Sequence, residues 1–181
     1  MVTRRLGKRT RSAGGGGDRL GDIDLVVFDI DGVLTDGSFL MSESGQEWKR
    51  LVYRDLDALT QAQAAGNRVA LLTAEQGPMV DRIAERLSIK RVVQGAKDKL
   101  EGLQTLASTE GVPLSRICFV GDAERDVPAL RAVGVGLVPS DAALAARRAA
   151  KAVLRKAGGT GVAAEALAWL ARRQTRTRTS R

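Results

Sequence analysis

Asp29 and Asp31, one residue apart, follow directly on the apolar run Leu25–Phe28 and precede Gly32. Further along, Thr73 follows RVALL, Lys99 comes shortly after RVV, and Asp122 and Asp126 come after ICFVG. If the apolar runs are strands, three of them deliver an aspartate pair, a threonine and an aspartate to one sheet edge, with a lysine nearby. Carboxylates gathered at one point repel each other and resist desolvation unless a cation compensates. Hard oxygen ligands with room for water suit Mg2+, which also binds phosphate oxygens. A carboxylate screened in this way can attack phosphorus and form an aspartyl-phosphate. A second carboxyl can protonate the leaving alkoxide, then deprotonate the water that cleaves the intermediate. Lysine and a threonine hydroxyl supply positive charge and a donor to the phosphoryl oxygens. The chain contains no histidine, which excludes a histidine-based route.

The elements that must position these residues follow from the hydrophobic pattern. Leu25–Phe28, Arg68–Leu72, Arg91–Val93, Ile117–Val120 and Val135–Val138 are short apolar runs of the kind that form buried parallel strands, with Ala152–Leu154 a last one. Phe39–Met41 and Trp48–Tyr53 flank SESGQE, which reads as a hairpin turn. Helical spacing covers Asp55–Ala65, Pro78–Leu87, the stretch from an Asp98 cap to Thr109, Asp126–Ala132, Ala142–Ala150 and Gly161–Arg172. Strands alternating with helices predict an α/β fold, a Rossmann-like parallel sheet covered by helices on both faces. In such sheets ligands bind beyond the carboxyl ends of the strands, near a reversal of strand order.

Length and charge set the frame. The 181 residues suit one domain, and the net charge of +8 is concentrated at the ends. Residues 1–20 and 171–181 each carry a net of +5, which leaves about −2 for residues 21–170. The expected organisation is a basic disordered tail over 1–20, a domain over 21–172 and a second basic disordered tail over 173–181. No aromatic residues interleave the basic ends, so specific nucleic-acid recognition is not expected. No apolar run approaches the ~20 residues of a membrane span, and a secretory signal is not apparent, which predicts a cytoplasmic protein without membrane partners. The single cysteine, Cys118, lies in an apolar strand and reads as a buried small hydrophobe.

DIDGVLTDG, LLT, the lysine of DKL and VGDAERD resemble, in order and spacing, the motifs of the haloacid dehalogenase superfamily of phosphatases. That resemblance implies that Asp29 is the nucleophile and Asp31 the general acid/base. It implies Mg2+ held by Asp29, the backbone carbonyl of Asp31 and Asp122, with Asp126 supporting that shell, and a phosphoryl group held by Thr73 and Lys99. Between Thr35 and Thr73 there is room only for a hairpin, a helix and a strand, and between Thr73 and Lys99 only for a helix and a short strand. No cap domain fits either gap, and an uncapped site calls for closure by a neighbouring subunit.

DGVLTDG, the hairpin, the RD of VYRDLDAL, the QG and KL of VVQGAKDKL and the late AGGTG resemble one capless branch, that of 3-deoxy-octulosonate 8-phosphate phosphatase and relatives acting on sialic-type 9-phosphates. The resemblance implies a sugar-phosphate substrate of the 2-keto-3-deoxy acid kind and a homotetramer assembled through Phe39–Lys49. It also implies that Gly158–Gly161 reaches a neighbour's pocket. The chain departs from the branch where Thr-Gly-Arg is replaced by Thr73-Ala74-Glu75, where RDG is Arg54-Asp55-Leu56, where Ala123 replaces the second aspartate of GDD, and where Thr160 replaces an arginine. Arg54, Asp55, Glu75 and Thr160 are therefore the candidate substrate-facing residues. A lost arginine removes charged hydrogen bonds of ~1.5–3 kcal/mol each. The same departures leave an alternative open, a non-catalytic assembly module of this fold associated with a sugar-nucleotide synthase. A nucleic-acid end phosphatase, suggested by the basic ends, is a third reading.

Overall fold

A computed structural model describes residues 23–179. In chain order the elements are β1 (Leu25–Phe28), β2 (Leu40–Met41), β3 (Glu47–Trp48), α1 (Tyr53–Ala64), β4 (Arg68–Leu72), α2 (Pro78–Arg86), β5 (Arg91–Val93) and α3 (Lys99–Glu110). They continue with β6 (Ile117–Val120), α4 (Val127–Ala132), β7 (Val135–Val138), α5 (Leu144–Ala149), β8 (Ala152–Val153) and α6 (Val162–Thr179). Six strands form one sheet in the order β5-β4-β1-β6-β7-β8, all parallel, and β2 and β3 form a separate antiparallel hairpin.

The contiguous apolar strands are explained by burial on both faces. Val26 and Phe28 of β1 join Val69, Leu71, Cys118 and Val120 in a core covered by α1, α2 and α6 through Leu59, Ile83 and Leu170. Leu25 and Val27, pointing the other way, join Ala70, Leu72 and Phe119 in a core covered by α3, α4 and α5 through Leu103, Leu130 and Ala146. Burial pushes the Cys118 thiol pKa up, so it acts as a small apolar side chain.

Register brings the strand ends level. Phe28 stands beside Leu71 on one side and Val120 on the other, so Asp29, Thr73 and Asp122 emerge from adjacent strands at one edge. The chain runs from β1 outward through β4 to β5, then returns to β6 on the opposite side of β1. That reversal opens a crevice at the carboxyl end of β1. Only the hairpin and α1 lie between β1 and β4, and no inserted cap domain is present among the described residues.

Some boundaries differ from the expectation. The second hairpin arm is only Glu47–Trp48, and Tyr53 already opens α1. The predicted helix at Asp126 begins instead with a tight turn over Glu124–Asp126, because the Asp126 carboxylate is turned back onto the preceding backbone. The closing helix expected over Gly161–Arg172 is longer: α6 runs Val162–Thr179, with no Gly or Pro after Gly161 to stop it. Arg173 stacks on the Trp169 ring one turn earlier, 4.9 Å from its centroid. The tail expected over residues 1–20 and the last two residues of the chain lie outside the described residues.

Candidate active site

Asp29 ends β1 with its backbone N–H donating to Val120 O at 3.0 Å. Its Oδ1 accepts from the Ile30 N–H at 2.7 Å, and its Oδ2 accepts from Lys99 Nζ. The next residues form a turn over Ile30–Leu34 in which Asp31 (φ −80°, ψ 127°) and Gly32 (φ 78°, ψ −4°) have the backbone of the two central positions of a type II turn. Gly32 is required twice over. Its φ is left-handed, and a Cβ there would stand 2.1 Å from Asp122 Oδ2.

Lys99 is the first residue of α3, whose N-terminus is capped by Asp98 accepting from the Leu100 and Glu101 N–H groups at 2.9 and 3.1 Å. The cap turns the lysine inward. It is 1% exposed, donates also to Leu72 O at 3.1 Å, and lies 3.6 Å from Asp126 Oδ1. It is thus no solvated surface lysine. Asp126 does not cap α4. Its Oδ2 accepts from the Asp122 and Ala123 N–H groups at 2.9 Å each, and its buried Oδ1 has no hydrogen-bond donor. Thr73 is buried at the end of β4, where its Oγ1 accepts from the Glu75 N–H at 3.1 Å, so the hydroxyl hydrogen is available to donate.

One oxygen each from Asp29, Asp122 and Asp126 lies within 4.8 Å of the others. Burial is the main reason that the Asp29 pKa is pushed up to about 6; Lys99 pulls it back and Asp126 adds to it. Burial, followed by the charges of Asp126 and Asp29, pushes Asp122 to about 7. Three carboxylates facing one lysine leave negative charge uncompensated, and an orphaned buried oxygen points into the same space. The donor set is all hard oxygen, which fits Mg2+.

Asp31, partly exposed, is not one of the three clustered carboxylates. Its Oδ1 accepts from Lys49 Nζ at 2.6 Å, and the same Nζ donates to Glu75 Oε2 at 2.5 Å. Lys49 was not among the residues singled out from the sequence. The signal available there was slight: a basic residue just after a hairpin, in a site where Glu75 stands at an arginine position. Burial works against the Lys49 ammonium, but the hydrogen bonds to Asp31 and Glu75 outweigh it and raise its pKa above the usual lysine range. Glu75 itself is half exposed and paired rather than free.

The other substrate candidates are placed differently. Asp55 is buried in α1, with its Oδ1 accepting from the Ala164 N–H at 2.9 Å, so it caps α6 and does not face an opening. Thr160 is exposed, and its hydroxyl donates to Ala157 O at 2.6 Å inside its own turn. Arg54 is exposed with its stem against Gly161. Gly158 and Gly159 come just before α6. They press on this chain's own turn, where a Cβ on Gly158 would stand 2.3 Å from Gly32 O and the Gly159 N–H donates to Val33 O at 3.0 Å.

This fold is shared with known proteins. The model of the haloacid dehalogenase-like hydrolases matches residues 46–134. The chain belongs to this family, and its relatives there make it a phosphatase. It is 31% identical over 144 residues to the 3-deoxy-D-manno-octulosonate 8-phosphate phosphatase KdsC of Escherichia coli K12, covering 80% of this chain and 77% of that one. The crystal structure of the Moraxella catarrhalis 3-deoxy-D-manno-octulosonate 8-phosphate phosphatase, in complex with magnesium ion, phosphate ion and KDO, superposes with a TM-score of 0.82 at 30% identity over 86% of this chain and 90% of that one. The cobalt-bound Haemophilus influenzae phosphatase gives 0.81 at 29% identity, over 86% and 91%.

Proposed function

We propose that this protein is a Mg2+-dependent phosphomonoesterase that works through an aspartyl-phosphate on a sugar phosphate, a 2-keto-3-deoxy acid phosphate of the KDO 8-phosphate or sialic-type 9-phosphate kind. The observation that carries the reading is the Asp29 carboxylate, presented at the end of the central strand between Lys99 and the Asp122–Asp126 pair. Asp29, Asp122 and the backbone carbonyl of Asp31 would hold the ion, with Asp126 orienting Asp122 through its backbone N–H. When bound, Mg2+ screens the carboxylates and neutralises charge on the phosphoryl oxygens.

The chain's own groups do the rest. Lys99 pairs with Asp29 and, with the Thr73 hydroxyl, receives the phosphoryl oxygens. Asp29 attacks phosphorus as the sugar oxygen leaves with a proton from Asp31. Asp31 then takes a proton from water as that water displaces Asp29. The exposed Phe39, Leu40, Met41 and Trp48 support assembly through the hairpin into a homotetramer. No helix among the described residues is long and apolar enough to cross a membrane, and a cytoplasmic setting accords with the relatives' chemistry. The assembly-module alternative has no comparable support, because a folded chain gains nothing from gathering two buried carboxylates and a half-buried one around a single lysine.

The test is phosphate release from a panel of sugar phosphates with Mg2+ or a chelator, using wild type and Asp29→Asn. Mg2+-dependent release that disappears in the variant is expected. Absence of release from every ester, or full activity in Asp29→Asn, overturns the reading.

A further inference from the structure

The reaction as written gives no task to Lys49, yet its side chain is only 4% exposed while the hairpin around it is exposed at Leu40, Met41 and Trp48. It follows β3 directly and reaches back 18 positions to Asp31 and forward 26 to Glu75. Fixing a lysine side chain loses rotamer entropy that exposed ion pairs seldom offset. Here one ammonium, shielded from water, joins two carboxylates that come from two different loops.

The geometry at Asp31 is one-sided. Lys49 Nζ at 2.6 Å and Thr35 Oγ1 at 3.5 Å both approach Oδ1. Thr35 is buried, and its hydroxyl is held against Ile30 O at 3.3 Å. Oδ2 accepts no hydrogen bond among the described residues. A carboxyl without these contacts could rotate and present either oxygen in several directions, and misplacement of such a group is felt strongly in the rate.

We propose that Lys49 is a positioning residue for Asp31, pinning Oδ1 so that Oδ2 is aimed at the leaving oxygen, and that the hairpin thereby takes part in the acid–base step. The inference rests on the phosphatase reading above. In the first half-reaction the proton on Asp31 Oδ2 passes to the ester oxygen while the sugar–oxygen bond to phosphorus breaks and the bond from Asp29 forms. In the second, Oδ2 takes a proton from water while the oxygen of that water bonds to phosphorus and the bond to Asp29 breaks. Lys49 keeps its proton throughout.

A role confined to the proton makes the effect depend on the leaving group. A sugar alkoxide needs the proton as it departs, whereas nitrophenolate leaves readily without one. The experiment compares kcat and KM of wild type, Lys49→Met and Lys49→Arg with Mg2+, on p-nitrophenyl phosphate and on whichever sugar phosphate the wild type hydrolyses fastest. Lys49→Met is expected to lower kcat on the sugar phosphate about 10–100-fold and on the aryl ester less than about threefold. KM should stay within about threefold on both, with Lys49→Arg recovering most of the kcat. Equal loss on both esters, loss confined to KM, or no loss overturns the proposal and leaves the phosphatase reading intact. An inactive wild type on both esters overturns the reading and this inference with it. Lys49→Gln, with the same expected discrimination between esters, serves if Lys49→Met does not fold.

Discussion

Lys99 Nζ stands 3.6 Å from Asp126 Oδ1 while donating to Asp29 Oδ2, and the lysine and Asp126 are both withdrawn from water, at 1% and 0% exposure. One ammonium therefore serves two carboxylates of the cluster. Replacing Lys99 by Met leaves buried anions without their cation, a change that typically costs about 3–5 kcal/mol. Urea denaturation of Lys99→Met without Mg2+ should give a loss of that size at pH 8. The loss should be smaller at pH 5, where Asp29 and Asp122 can take up protons.

The raised carboxylate pKa values set a pH dependence whose sign can be worked out. Asp29 titrates at about 6 and Asp122 at about 7 in the metal-free folded chain, against about 4 for an unfolded aspartate. Between those limits the folded state holds more protons, so these two groups make the metal-free protein less stable as pH rises from 4 to 7. Mg2+ binding requires the deprotonated forms. Its affinity should weaken as pH falls below 7, with about one proton released per ion between pH 6 and 7 and a second below 6. Calorimetry in buffers of different ionisation enthalpy counts those protons. A pH-independent affinity across 5–8 would contradict the burial of this cluster.

Gly32→Ala should damage the site more than the fold. A left-handed φ costs a Cβ-bearing residue roughly 1–2 kcal/mol, and the new Cβ would overlap the Asp122 carboxylate. A lower melting temperature together with at least a roughly tenfold loss of Mg2+ affinity is expected from the proposed role of Asp122 in holding the ion, since a displaced ligand oxygen is worth more than about 1.4 kcal/mol in a charged site. Differential scanning fluorimetry and calorimetry on the same sample separate the two effects.

Asp55 offers the opposite case. As the cap of α6, its replacement by Ala should cost about 1–2 kcal/mol, with Mg2+ affinity unchanged. Burial raises the Asp55 pKa, which outweighs the backbone N–H groups of Ala164, Ala163 and Gly161. An uncharged acceptor should therefore do well, and Asp55→Asn should lose less than Asp55→Ala. Chemical denaturation of both variants at pH 8 gives the comparison.

Part of the site could be read from the chain because Asp29, Thr73 and Asp122 sit just beyond the ends of apolar runs, and two-face burial makes such runs contiguous. Lys99 opens α3 and Asp126 lies in the turn before α4, several residues past their strands, so the joint motif pattern rather than the apolar runs singles them out. Contacts that depend on how distant segments meet were beyond its reach. Asp55 caps a helix 109 positions away, which neither its own helix nor its neighbours announce. Lys49 lies on an exposed hairpin, and only the path of the chain after β3 brings its ammonium to Asp31. The far end of α6 differs for a local reason: Arg and Thr in alternation read as a tail, whereas no Gly or Pro follows Gly161 to stop the helix.

The two glycines that press on the Gly32–Asp36 turn come from the segment just before α6. During synthesis, a nascent chain that has already exposed all of its reactive carboxylates would still lack the buttress beneath its first loop. Competence for phosphoryl transfer is therefore expected only once this segment has docked, and a chain lacking it should be inert rather than an indiscriminate esterase.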